Sequence, residues 1–152
     1  MKKIGLLLLL FVSSAFAERW GVGVNYPGLG VKYTVDKMNT VELRTQFGED
    51  VFVMGPRLYH SISNRGKTTI YAGGELDYLT FEGKSSKGSG FVLEPYVGVE
   101  YLIEYLTAHN LGLNIDIGPA FISLKDKDTN ETEAGIDFVV NLGLTYYLGG
   151  EK

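Results

Sequence analysis

Cysteine is absent from the 152 residues, which excludes a disulfide framework and a cysteine-anchored lipoprotein. The chain has no basic run, and its formal net charge of −4 argues against nucleic acid as a partner. Long helical patterns of apolar residues are missing after the N-terminal segment. What is abundant is glycine (20 residues) and tyrosine (10 residues). This composition predicts an all-β protein with many turns.

The N-terminal segment has the pattern of a secretory signal peptide. Two lysines precede an uninterrupted apolar run over 4–12, and an A-x-A pattern ends at Ala17. The run is too short to span a bilayer as a helix. We therefore predict that residues 1–17 are a signal peptide cleaved on Sec export and that residues 18–152 form one domain.

Eight segments of the mature chain alternate apolar and polar residues with a period of two, which predicts strands. Short turns separate them, so neighbouring strands should pair antiparallel in an up-and-down order. Pro56, Pro95 and Pro119 fall inside these segments and cannot donate ladder hydrogen bonds, so bulges or barrel rims are expected there. The predicted strands cover 19–26, 29–35, 40–47, 51–60, 67–81, 91–104, 111–124 and 134–148.

Alternation alone does not say which face of a strand meets water. In the last segment, AGIDFVVNLGLTYYL, the even positions from Ile136 to Leu148 are all large and apolar, whereas the odd ones are mostly small or polar. A soluble sheet turns its apolar face inward, and a membrane barrel turns it toward lipid. The charged residues of the strands share the parity opposite the apolar stripe: Lys32, Glu42, Arg44, Arg57, Glu75, Asp77, Glu94, Glu100, Asp116 and Asp137.

Glycine distinguishes the two arrangements. Gly23, Gly55, Gly73, Gly118 and Gly143 are among many glycines that share the parity of the charges. A water-facing strand surface gains nothing from glycine, whereas the narrow interior of an eight-stranded barrel needs small residues beside large ones. We therefore predict that the charges form a polar network in the lumen, centred on Arg44 and Arg57 because a guanidinium binds two carboxylates. The apolar stripe then faces lipid.

Aromatic residues of the apolar parity support this interpretation, since girdles of such residues flank the apolar band of a membrane barrel. One set lies near the strand ends closest to the chain termini: Trp20, Tyr33, Tyr101 and Tyr146. Another set lies toward the opposite ends: Phe47, Phe52, Tyr78, Phe91 and Phe121.

With these features the chain resembles the small outer-membrane β-barrels of Gram-negative-type bacteria, the class that contains the transmembrane domain of outer-membrane protein A. Its last strand resembles the signal read by the barrel assembly machinery, which implies recognition through Asn141, Gly143, Tyr146 and Leu148. The match departs from the family in ending on Leu148 instead of an aromatic residue. The resemblance implies a single eight-stranded antiparallel transmembrane barrel located in the bacterial outer membrane, with membrane lipid and the assembly machinery as partners.

We predict a non-catalytic protein without cofactor or metal, with a structural, adhesion or surface-interaction role. Loops 82–90 and 125–133 are the candidate sites for a surface ligand, and an open pore is not expected because porins need about 16 strands. The main alternative is a secreted, lipocalin-like barrel that holds a small apolar ligand inside. A third hypothesis is a lipid A modifying enzyme, because His60-Ser61-Ile62-Ser63-Asn64 resembles the His-x-Ser-Asn region of lipid A deacylases, although Ile62 stands where that motif has serine.

Overall fold

The eight strands form a closed antiparallel barrel in sequence order, in a computed structural model that describes residues 19–83, 86–104 and 110–148. This confirms the predicted all-β, up-and-down fold. The predicted signal peptide, residues 1–17, lies outside the described residues. The strands are β1 (Arg19–Asn25), β2 (Gly28–Thr34), β3 (Asn39–Phe47), β4 (Val51–Arg65), β5 (Thr68–Glu82), β6 (Lys87–Glu104), β7 (Asn110–Asp126) and β8 (Thr132–Leu148).

Two strand boundaries differ from the sequence prediction by more than three residues. β4 continues through the serines to Arg65, because a register shift between Ser61 and Ser63 lets these residues pair with β5. The turn therefore lies at Gly66, whose φ of 60° favours glycine, and not beside His60. β6 begins at Lys87, so most of the predicted loop 82–90 is strand.

The prolines lie inside the strands and not at rims or bulges as expected. β6 and β7 keep one register on both sides of the gap between the pairs Leu93↔Phe121 and Val97↔Ile117. That register sets Pro95 opposite Pro119. Two residues that cannot donate thus share one interruption of the ladder, which limits the loss of hydrogen bonds to one place.

The wall of the barrel is much taller on one side than on the other. We call the end that contains Arg19 and Leu148 the proximal end, and the opposite end the distal end. β1 and β2 have 7 residues each, whereas β7 and β8 have 17 each. β8 pairs with β1 only as far as Asn25↔Gly143, and Tyr26 N then donates to Leu142 O. Residues 132–141 of β8 continue distally, and none of the described strands pairs with them on the side of β1.

The two faces of the wall have opposite polarity to those of a soluble barrel. Large apolar side chains point outward on every strand and are exposed, including Val24, Leu58, Leu93, Ile115 and Val140. The interior instead buries charged side chains, asparagines and tyrosines. No helix within the described ranges has the length and hydropathy needed to cross a membrane.

Candidate functional site: the interior charge network

The predicted lumen residues converge in the middle of the barrel, with one exception. Lys32, Glu42, Arg44, Arg57, Glu75, Asp77, Glu94 and Asp116 are all buried, at 4% exposure or less. Glu100 joins them with a side chain that is 14% exposed. Asp137 shares their parity but is exposed, so its inclusion in the network was wrong. It lies in the tall part of β8, beyond the residues that pair with the neighbouring strand β1. We call the eight buried residues together with Glu100 the interior charge network.

Arg57 is the centre of this network. Its Nη1 lies 3.1 Å from Glu75 Oε2 and its Nη2 lies 2.6 Å from Asp116 Oδ1. Its Cζ is 3.8 Å from the ring centroid of Tyr96, in the geometry of a cation–π contact. One guanidinium thus ties β4 to β5, β6 and β7 across the lumen.

Glu75 is shared between two arginines. Arg44 Nε lies 2.8 Å from Glu75 Oε1, while Arg57 holds the other carboxylate oxygen. Both arginines and Glu75 are at most 1% exposed. Burying such charges costs several kcal/mol per ion unless they are paired, so the two contacts on Glu75 are needed to keep it inside.

Asp116 collects neutral donors in addition to Arg57. Tyr71 Oη donates to Asp116 Oδ2 at 3.1 Å, and Asn141 Nδ2 lies 3.0 Å from Asp116 Oδ1. The same Asn141 nitrogen lies 2.8 Å from Glu94 Oε1. Asn141 therefore links the carboxylates of β6 and β7 from its place on β8.

A second group of contacts lies nearer the proximal end. Lys32 Nζ is 3.4 Å from Glu100 Oε1, and Tyr147 Oη donates to the same oxygen at 2.6 Å. The guanidinium carbon of Arg19 lies 4.0 Å from the centroid of the Tyr147 ring. These contacts tie β1 and β2 to β6 and β8 where the barrel closes.

Glu42 is held without an ion pair to any described residue. Asn25 Nδ2 donates to its Oε1 at 2.9 Å, and Tyr59 Oη donates to its Oε2. Its side chain occupies the space that a Cβ on Gly30 would need. The glycine on β2 thus makes room for the charged side chain on β3, as expected for a filled narrow barrel.

Tyrosines fill the space between the charged groups, and the sequence prediction did not include them. Tyr59, Tyr71 and Tyr96 form an edge-to-face cluster with ring centroids 5.2 to 6.1 Å apart. Each has the same parity as the charges, and that signal could have identified them. In the sequence prediction, only the aromatic residues of the apolar parity have a role, as girdles.

The predicted assembly signal divides between the two faces of β8. Asn141 and Gly143 point into the barrel, where a side chain on Gly143 would collide with Asn25 and Asn114. Tyr146 and Leu148 point outward and are exposed. Residues 143–148, which include most of the signal, pair with β1, so this segment closes the barrel.

The residues of the lipid A deacylase hypothesis do not meet. His60 is exposed on the outer face of β4, and its Nδ1 lies 2.9 Å from Asn39 Oδ1. Ser61 and Ser63 point to the opposite face of the strand. A serine nucleophile needs its base within hydrogen-bond reach, and this arrangement does not provide it.

Comparison of the sequence with models of known protein families and with curated proteins finds no match.

Proposed function

We propose that this chain is a non-catalytic β-barrel of the bacterial outer membrane that acts through contacts at its distal end. The observation that carries the proposal is the distribution of polarity: charges lie inside a closed barrel, and apolar side chains are exposed around it. In water such an exterior would be a large aggregation-prone patch, whereas in lipid it is the favourable arrangement. A closed ring of strands also satisfies the backbone hydrogen bonds that a bilayer cannot.

Two girdles of aromatic side chains mark the limits of the proposed lipid-facing belt. Near the proximal end, the rings of Trp20 and Tyr33 are in contact, with centroids 4.8 Å apart. Toward the distal end, Phe47 contacts Phe52 and Tyr78 contacts Phe91, each pair at 5.5 Å. Aromatic side chains prefer the interface between hydrocarbon and water, so these rings support a membrane boundary at both ends.

The filled interior argues against two other roles, a pore for solutes and a lipocalin-like barrel that binds an apolar ligand inside. The Arg57 and tyrosine contacts cross the lumen, which leaves little space for a solute pathway at that level. A lipocalin-like barrel predicts an apolar interior and solvated charges, but the middle of this barrel has the opposite arrangement. A rigid frame that holds the distal end in place is the role that this core supports.

The distal end is the surface we propose for recognition. Phe47 is the last residue of β3, whereas residues 132–137 of β8 extend beyond Phe138. The taller strands therefore project past the distal aromatic ring. Exposed Glu82 and Lys87 form an ion pair at 2.7 Å where β5 ends and β6 begins, so this surface carries charges of both signs. Membrane lipid around the belt and the assembly machinery at β8 are the partners we propose during and after insertion.

Fractionation and electrophoretic mobility test this proposal. The full-length product should appear in the outer-membrane fraction and change mobility on boiling, because a closed barrel resists detergent until heated. Ile115→Lys places a charge in the middle of the outward belt and should destabilise the inserted barrel by about 2–4 kcal/mol. Thr132→Lys, at an exposed position beyond the distal ring, is the matched control and should have little effect. Recovery of the protein from the soluble periplasm, with Ile115→Lys tolerated as well as the control, would contradict the proposal.

A further inference from the structure

The distal part of β8 has an edge with unpaired backbone groups. The last bond between β8 and the β1–β2 hairpin runs from Tyr26 N to Leu142 O, and β8 continues distally over residues 132–141. Backbone groups of successive strand residues point to opposite sides. The ladder to β7 has no register shift, so the even-numbered residues from 132 to 140 point their N–H and C=O groups the same way as Leu142. We call these groups the unpaired edge.

One group of the unpaired edge is satisfied from within the chain. Phe138 N donates to Oδ1 of the preceding Asp137 at 2.7 Å, as expected for an amide that faces away from β7. No described backbone group bonds to the other even-numbered residues on this side. A row of backbone donors and acceptors in this state is a template for another extended chain.

The inner face beside this edge is acidic. Glu133 and Asp137 are exposed carboxylates on either side of Gly135, and the three residues share one face of β8. A cavity of about 310 Å³ is lined by these residues and by Ile122 and Leu124 of β7. A Cβ built on Gly135 has no atom within 4 Å, so the space above this glycine is open. The cavity thus combines two negative charges with an apolar floor.

We infer that the unpaired edge binds an extended segment of another protein, which adds a strand antiparallel to β8 and inserts a lysine or arginine side chain between Glu133 and Asp137. This inference names the partner chemistry for the distal recognition surface and rests on the function proposed above. The added strand continues the line of β1, which is itself antiparallel to β8. Residues 132–137 project past the distal aromatic girdle, so a water-soluble segment can reach them.

The charges and the shape of the cavity specify a basic side chain. Residues directly opposite in an antiparallel pair point to the same face, and diagonal neighbours lie about 7–8 Å apart. A residue opposite Gly135 therefore has Glu133 and Asp137 as diagonal neighbours. The stem of a lysine or arginine covers Ile122 while its charged end reaches the carboxylates. Asp137 can keep its bond to Phe138 N, because a carboxylate accepts several hydrogen bonds.

Two other occupants do not fit this edge. A second copy of the chain in the same membrane has β8 running in the same direction, so it cannot supply an antiparallel strand from its own unpaired edge. A segment with acidic residues at the inner positions would place like charges opposite each other, which is destabilising. A basic segment is the occupant that complements both the backbone groups and the charges.

Binding of a labelled peptide to the full-length protein in phosphatidylcholine vesicles tests the inference. The probe is a short peptide of alternating valine and lysine that carries fluorescein, and fluorescence anisotropy measures its dissociation constant. In the antiparallel arrangement the lysines face inward, and the valines direct their N–H groups to the unpaired edge. N-methylation of the valines should therefore weaken binding by about tenfold or more. The matched peptide with N-methylated lysines should bind as the parent peptide does.

Variants of the chain test the acidic cavity and the edge separately. Glu133→Gln combined with Asp137→Asn should weaken binding by about tenfold, whereas Glu49→Gln, at an exposed carboxylate between β3 and β4, should not. Ile136→Pro removes one amide of the unpaired edge and spares the ladder to β7, so it should also weaken binding. Ile136→Ala keeps that amide and is the control. Mobility before and after boiling checks that each variant is folded.

The outcomes separate this inference from the proposed membrane location. If the parent peptide does not bind the inserted barrel, strand addition is overturned while the membrane location stands. Equal binding of the two N-methylated peptides also overturns it, because attraction would then come from charge alone. If the protein does not enter the vesicles, the proposed membrane location has failed, and this inference fails with it.

Discussion

Removing the guanidinium of Arg57 should destabilise the barrel more than any other single change in the interior charge network. Arg57→Met keeps most of the volume but leaves two buried carboxylates with one cationic contact fewer each. Removing one partner of a buried ion pair costs about 3–5 kcal/mol, because an uncompensated charge remains inside. The contact with the Tyr96 ring adds to this loss.

The two carboxylates are not equally affected, and this difference makes the prediction specific. Glu75 keeps Arg44 at 2.8 Å, whereas Asp116 keeps only the neutral donors Tyr71 and Asn141. Asp116→Asn should therefore rescue Arg57→Met, with a coupling energy of about 1–3 kcal/mol. Glu75→Gln in the same background should not rescue it, because that change takes the partner from Arg44.

Urea unfolding of the protein in lipid vesicles, followed by Trp20 fluorescence and by mobility on gels, measures these differences. With a slope of about 2 kcal/mol/M, a loss of about 4 kcal/mol lowers the midpoint by about 2 M. A midpoint for Arg57→Met within about 0.3 M of the parent would refute the reasoning. So would equal rescue by Asp116→Asn and Glu75→Gln, because the contacts would then not determine which charge is left alone.

Three further results are expected. Gly118→Ala should destabilise the barrel by about 1–3 kcal/mol in the same unfolding assay, because the added Cβ would collide with the backbone oxygen of Pro95. The control Gly135→Ala adds a Cβ in open space and should change stability by less than about 0.5 kcal/mol. The pKa of exposed Asp36 is lowered because its carboxylate accepts hydrogen bonds from the Asn39 side chain and from Met38 N. This turn should be stable above the ordinary aspartate pKa and loosen as pH falls through the lowered one, which hydrogen exchange would measure as a smaller protection factor for the Met38 amide. Planar bilayers containing the protein should show no conductance above that of lipid alone, and discrete channel openings would contradict the filled interior.

The residues of the interior charge network could be predicted from parity, but their pairings could not. Strand period fixes which face a side chain occupies, so the burial of Arg57, Glu75 and Asp116 follows from alternation once the strands are recognised. The pairings depend on register and barrel closure, which bring Asp116 of β7 to Arg57 of β4 across the lumen. Asp137 has the correct parity and still lies outside the network, because parity does not tell how far the neighbouring strand β1 extends along β8.

The unequal height of the wall explains what the sequence prediction missed at the distal end. Each strand length can be read approximately from the sequence, and the 7-residue strands β1 and β2 are shorter than the roughly 9–11 residues that a tilted strand needs to cross a bilayer. Read one at a time, these lengths only weaken the membrane hypothesis. Closure of the ring places the short strand β1 beside β8. The 17-residue strand β8 then has a neighbour on that side for only its proximal part. The shortness of β1 and β2 thus determines where the unpaired edge of β8 begins, just beyond the bond from Tyr26 N to Leu142 O.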